Sequence, residues 1–190
     1  MPGGKSARLP GVRAVVLIGF MGAGKSSVGR ALGTRLGWAF EDLDERIERR
    51  ERRKVPEIFR ESGELGFRRA EHAALKELLS ELRAGAKIVA LGGGAFVQKR
   101  NARLIEMGGV PTLFLDADVE ELWRRCRQQA EEQGIERPLL GSLDSFRKLY
   151  ETRRPHYLRA SFRQETGGKT VEGIVAEVVR SLGLGRRRGR

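Results

Sequence analysis

The sequence predicts an α/β fold, a three-layer sandwich around a five-stranded parallel sheet. Two observations predict it: short apolar runs alternate with stretches of helical period, and no repeat or linker divides the chain. A third is that glycine or acidic clusters follow three of the apolar runs. Val15-Val16-Leu17-Ile18 reads as a buried parallel strand. Val28, Leu32 and Leu36 then stripe a helix that starts at Lys25 and stops at Gly37. Trp38-Ala39-Phe40 begins a second strand that runs into Asp42-Leu43-Asp44. The stretch 45–54 is charged with few apolar anchors, and Pro56 opens a short helix carrying Ile58 and Phe59. Ala70, Ala74, Leu75, Leu78, Leu79 and Leu82 make the apolar stripe of a long helix. A third strand at 88–91 closes on Gly92-Gly93-Gly94, a helix follows at 102–107, and Thr112-Leu113-Phe114-Leu115 is the fourth strand. Val119, Leu122, Trp123 and Cys126 continue as a helix, after which 127–134 is polar and lacks an apolar face. A helix near 145–153, a strand at 161–164 and a final helix marked by Val171, Ile174, Val175, Val178, Val179 and Leu182 complete the chain. Ligands in such folds sit beyond the carboxyl ends of the strands. The clusters at 19–24, 42–44 and 92–94 are therefore expected to line one crevice.

With 190 residues the chain suits one domain with a real core. No apolar run is long enough to span a membrane, and the basic N-terminus lacks the apolar region of a secretory signal. One cysteine, Cys126, cannot form an internal disulfide, which fits a reducing compartment and a cytoplasmic location. The net charge of +12 invites a nucleic-acid reading. However, Lys5, Arg8, Arg13, Arg186, Arg187, Arg188 and Arg190 all lie in the two tails, so a nucleic-acid partner is not expected of the domain itself.

Gly19, Gly24, Lys25 and Ser26 satisfy G-x-x-x-x-G-K-[ST], between a strand and a helix as that motif requires. Glycines let the loop curl until backbone N–H groups face phosphate oxygens, and the helix N-terminus adds its dipole. Lys25 is expected to span the β- and γ-phosphates and Ser26 to ligate Mg²⁺. The motif alone leaves kinases, GTPases and ATPases open. No Asn-Lys-x-Asp guanine-reading motif occurs, and the length argues against a large ATPase motor. A small kinase remains.

Six motifs in order resemble the shikimate kinase family of P-loop kinases, over about 15–182. They are Gly22-Ala23-Gly24-Lys25-Ser26, Asp42-Leu43-Asp44, Gly66-Phe67-Arg68-Arg69 with Glu71, Leu91-Gly92-Gly93-Gly94-Ala95, Arg137-Pro138-Leu139-Leu140 and Arg153-Arg154-Pro155-His156-Tyr157. The resemblance implies phosphorylation of the 3-hydroxyl of shikimate by ATP with Mg²⁺. It implies an ATP site at Gly22, Ala23, Gly24, Lys25, Ser26 and Ser27, with Arg125 stacking on adenine and Arg137 as a lid arginine. By the same resemblance Arg68 and Arg153 bind the substrate carboxylate, and Gly92, Gly93 and Gly94 bring backbone N–H groups to substrate and γ-phosphate. Two parallel hydrogen bonds from a planar guanidinium suit a carboxylate, and Glu71, three residues after Arg68, can orient it. Asp44 is implied to hold the substrate hydroxyls and accept the proton, and Asp42 to lie with Ser26 near the metal. Lys25, Asp44 and Arg137 form the implied catalytic set. The two histidines, His72 and His156, read as incidental.

The expected organisation is a disordered basic tail at 1–13, a monomeric kinase domain at 14–183 and a basic tail at 184–190. Within the domain a substrate-binding segment spans about 44–72 and a lid about 127–142. Two departures from the family pattern stand out. Arg52 and Lys54 replace the usual glycine and serine, which removes the easy left-handed residue from that turn. The lid is long and carries Glu131, Glu132 and Glu136. Rival readings are a gluconate or nucleoside monophosphate kinase and a catalytically idle nucleotide-binding module.

Overall fold

The computed structural model describes residues 12–82, 85–133 and 141–184. Five strands, β1 (Ala14–Ile18), β2 (Ala39–Asp42), β3 (Lys87–Ala90), β4 (Thr112–Asp116) and β5 (Phe162–Glu165), form one all-parallel sheet in the order β2-β3-β1-β4-β5. The helices are α1 (Lys25–Leu36), α2 (Leu43–Glu51), α3 (Val55–Glu81), α4 (Lys99–Met107), α5 (Val119–Gln133), α6 (Leu143–Tyr157) and α7 (Val171–Leu182). From β1 the chain moves outward to β2, whereas from β2 onward it moves back across the sheet. Right-handed crossovers therefore put α1 on one face and α3 and α4 on the other. The packed pairs α1 with α7 and α3 with α4 agree with that division. β1 is buried along its whole length, as its unbroken Val-Val-Leu-Ile run requires of a central parallel strand.

Register decides what meets above the sheet. Asp42 pairs with Ala90, so the chain leaves β2 and β3 at the same height, and Asp44 and the glycines after Leu91 emerge side by side. The reversal of chain direction at the centre of the sheet opens the crevice there, between the exits of β1 and β3.

Several elements differ from expectation. The charged stretch after Asp44 is helical. Leu43 and Ile47, one turn apart, are its buried anchors, and Asp42 caps its start by accepting the Asp44 N–H. On its outer side Arg46 bonds Glu41 and Glu81, and Arg50 bonds Glu77. The helices expected at Pro56 and from Ala70 belong to one longer element, α3, interrupted at Gly63 (φ 65°, ψ −177°). α5 continues into the stretch assigned to the lid, where Arg127–Glu131 and Gln128–Glu132 pairs at 3.3 and 2.9 Å replace the missing apolar face. α4 begins at Lys99, and α6 runs through Pro155 to Tyr157. Contacts with the sheet and core are also made on either side of 14–183. Arg13 accepts the Lys87 N–H through its carbonyl, and Leu184 is buried in the core. Residues 1–11, 134–140 and 185–190 lie outside the described residues.

The turn after α2 keeps its left-handed residue without glycine: Arg52 itself adopts φ 53°, ψ 32°. Left-handed geometry costs a β-carbon roughly 1–2 kcal/mol, while glycine adds about 0.5–1 kcal/mol of chain entropy to the unfolded state. Arg52→Gly is therefore expected to stabilise the fold by about 0.5–1 kcal/mol, which denaturant titration would read as a shifted midpoint at constant slope. A destabilised variant would mean that the arginine side chain compensates for its backbone.

Candidate active site

The loop from β1 to α1 is pressed against α5. Gly22 sits at φ 79°, and a β-carbon there would lie 2.6 Å from the Leu122 carbonyl oxygen and 2.8 Å from Cys126 Sγ, so glycine is required twice over. α1 starts with no side chain capping its first amides, which leaves them to face an anion. Lys25 Nζ donates to the carbonyls of Gly19 and Phe20 at 3.0 and 2.9 Å. Burial pushes the Lys25 pKa down, against the opposing pull of Asp44 and Asp42. Residues 21–27 line a cavity of about 810 Å³ together with Asp42, Asp44, Gly92 and Gly93.

Across the cavity the two aspartates part company at the start of α2. Asp42 turns toward the loop, accepting from Ser26 Oγ at 2.6 Å through one oxygen and from the Asp44 N–H at 3.0 Å through the other. Asp44, in the first helical turn, turns instead toward the glycines after β3. Burial pushes its pKa up to about 6, Asp42 adds to the rise, and Lys25 opposes it. A carboxyl so tuned is poised to exchange a proton near neutral pH.

The glycine triplet has a second role that the sequence did not reveal. A β-carbon on Gly92 would lie 2.6 Å from Asp44 Oδ1, one on Gly93 3.6 Å from an Arg153 guanidinium nitrogen, and one on Gly94 2.9 Å from two Arg68 nitrogens. The missing side chains of Gly92 and Gly94 thus make room for a carboxylate from α2 and a guanidinium from α3, while Gly93 between them stands in ordinary contact distance of the Arg153 guanidinium from α6. Arg68 donates to Glu71 at 3.0 Å and to Glu64 at 3.2 Å, so two carboxylates of its own helix hold it. Glu71 is 1% exposed and its pKa is raised by burial, with Arg68 acting against the rise. Arg153 lies 5.8 Å over the Phe20 ring. Its neighbour Arg154 turns away to Asp116 and Tyr150, at 3.0 Å each. One helical turn beyond Arg153, the Tyr157 hydroxyl donates to the Gly93 carbonyl, and burial pushes its pKa to about 12, so it stays a donor. Sequence reasoning missed Tyr157, although it stands in the Arg153–Tyr157 motif at helical spacing from Arg153.

At the far end of the cavity Arg125 donates to Glu121 and to the Thr166 carbonyl, at 2.6 and 2.9 Å. It shares that end with Gln128, Gln129 and Glu132 of α5 and with Lys169, Thr170 and Val171. Ser27 also lines the cavity. Arg137 and Glu136 lie outside the described residues. His156 bears no part in this cluster, while His72 contacts Asn101.

A strand–loop–helix phosphate cradle, facing a tuned carboxyl and two convergent arginines, defines the chain as a P-loop small-molecule kinase in fold and site. The family model described as shikimate kinase matches residues 21–183, and the chain belongs to the shikimate kinase family. It is 40% identical over 173 residues to a shikimate kinase of Cereibacter sphaeroides, covering 90% of this chain and 82% of that protein. Among solved structures it is similar to shikimate kinase from Acinetobacter baumannii in complex with shikimate, with a TM-score of 0.78, 32% identity and coverage of 89% of this chain and 92% of that one. The shikimate kinase of Aquifex aeolicus gives a TM-score of 0.76 at 34% identity, covering 91% and 99%.

Proposed function

We propose that this chain transfers the γ-phosphoryl group of ATP to the 3-hydroxyl of shikimate, giving 3-phosphoshikimate and ADP in aromatic amino acid biosynthesis. The observation that carries the reading is the placement of Asp44, Arg153 and Arg68 along Gly92, Gly93 and Gly94, opposite Lys25. In this reading the glycine loop and the α1 N-terminus bind the phosphates, and Lys25 neutralises charge on the transferring group. Arg68 and Arg153 hold the acceptor's carboxylate, which orients its ring. Asp44 orients the hydroxyl and takes its proton as the oxygen–phosphorus bond forms. Arg125 contributes to the adenine end, and Arg137 to a lid that excludes water from the transfer.

Ser26 and Asp42 present two oxygens 2.6 Å apart at the phosphate loop, a donor set that suits a hard cation. Among the described residues no group of three or more His, Cys, Asp or Glu could hold a metal. That fits Mg²⁺, which keeps waters and phosphate oxygens as its remaining ligands. When bound, the ion would draw charge from the phosphate oxygens. Among the described residues no helix is long and apolar enough to cross a membrane. The reading takes the chain as a monomer acting in the cytoplasm, where ATP is at hand.

The reading is tested by coupled ADP release with shikimate, gluconate and AMP offered separately. Mg²⁺-dependent turnover with shikimate alone is expected. Turnover with gluconate or AMP and none with shikimate would overturn the assignment, and no turnover with any acceptor would favour an idle nucleotide-binding module.

A further inference from the structure

Behind Arg68 lies a polar cluster that the reaction does not yet use. Asn101, on α4, is fully buried. Its amide nitrogen donates to Glu71 Oε2 at 3.3 Å and to the Ala95 carbonyl at 3.1 Å. Its oxygen meets His72 Nδ1 at 2.7 Å. The amide can point only one way, because turning it over would set its oxygen against a carboxylate and a backbone carbonyl at once. The oxygen must then accept, so His72 donates from Nδ1.

These contacts bear on how Arg68 is held. Its guanidinium is flanked by two carboxylates of unequal quality: Glu64 is 68% exposed, whereas Glu71 is 1% exposed. An exposed pair contributes little and is readily exchanged for water, so the orientation of Arg68 depends on Glu71. Glu71 uses one oxygen for Arg68 and the other for Asn101. The other wall of the slot is Gly94, where both Arg68 terminal nitrogens lie 2.9 Å from an ideal β-carbon position. The next residue after Gly94 is Ala95, whose carbonyl is the second acceptor of Asn101. One buried amide therefore ties both walls of the slot, Glu71 from α3 and the end of the glycine loop. Arg100, on the same helix as Asn101, also donates to the Arg68 carbonyl.

We propose that Asn101, backed by His72, is a positioning residue for the acceptor's carboxylate, fixing the Arg68 guanidinium through Glu71 and the glycine loop. The proposal rests on the reading that Arg68 binds that carboxylate. His72 is then a functional support rather than an incidental residue.

The test uses the full chain with shikimate and ATP varied separately, alongside thermal melting. Asn101→Leu keeps the side chain's branching and heavy-atom count, with somewhat greater bulk, but removes its donors and its acceptor. It is expected to raise the KM for shikimate on the order of tenfold while the KM for ATP and kcat change less than about twofold. His72→Phe should act in the same direction, by about threefold. His72→Asn, whose amide N–H can replace Nδ1–H, should keep the KM for shikimate within about twofold. If Asn101→Leu fails to fold, the His72 pair decides alone. An unchanged shikimate KM in both Asn101→Leu and His72→Phe overturns the proposal, as does an equal rise in both substrates' KM values. Arg68→Ala is the reference: if it raises the shikimate KM while the other variants do not, this inference alone is wrong. If Arg68→Ala leaves that KM unchanged, the carboxylate reading fails and the proposal with it.

Discussion

Asp44→Asn is expected to lower kcat by about 10²–10³-fold while the KM for ATP moves little, because on the proposed reading the change removes the proton acceptor and leaves the glycine loop intact. The wild-type pH profile should identify the same group. The Asp44 pKa is raised to about 6, chiefly by burial and then by Asp42, so its basic form is lost below that pH. Activity toward shikimate should therefore rise with pH through about 6 and level off above it, and Asp44→Asn should abolish that limb. Stability carries the opposite sign. A carboxyl with a raised folded-state pKa binds its proton more tightly in the native state, so it favours folding below its unfolded pKa. That contribution fades as pH climbs through about 6. At pH 7 the ionised Asp44 strains the fold, and Asp44→Asn should be more stable than wild type by about 1–2 kcal/mol, allowing for partial solvent screening. The gain should vanish near pH 4. A variant that is slow yet more stable, with both effects tied to one pKa, is a signature that misfolding cannot imitate. An unchanged kcat would remove Asp44 from the reaction.

Arg68→Ala should raise the KM for shikimate by about 10²-fold, since two charge-assisted hydrogen bonds to a carboxylate are worth several kcal/mol. It should also destabilise the fold by roughly 3 kcal/mol, because Glu71 would be left buried without its cation. The two losses are separable. Adding Glu71→Gln removes the stranded charge and keeps an acceptor for Asn101, so Arg68→Ala/Glu71→Gln should recover most of the stability and none of the affinity. Recovery of both would show that Arg68 serves the fold and that another group binds the acid. Arg153→Ala provides the contrast, since among the described residues no carboxylate pairs with Arg153 in a salt bridge; it should weaken shikimate binding with little change in melting.

Much of this arrangement was legible from spacing. The phosphate loop is a local feature: six residues, a strand before and a helix after, with glycines where the backbone must turn tightly. Periodicity located every strand and the final helix for the same reason. Helix extents were less legible. α2 has only Leu43 and Ile47 as inward anchors, and α5 continues beyond Cys126 on an ion pair and a side-chain hydrogen bond rather than on an apolar stripe, so neither announces its length in a hydrophobic pattern. The left-handed Arg52 shows the opposite failure, in which a turn persists although its preferred residue is gone.

The sequence by itself determined the parallel sheet and the glycine loop that opens α1, and it carried the carboxyl and guanidinium groups proposed for the acceptor side. Those follow from chemistry carried within single short segments. Only the tertiary structure decided what those groups share. Strand register brought Asp44 level with Gly92, helix packing brought Arg153 and Arg68 to Gly93 and Gly94, and Asn101 joined α3 to the glycine loop. Such contacts depend on distances between segments far apart in the chain, and no spacing within a segment encodes them.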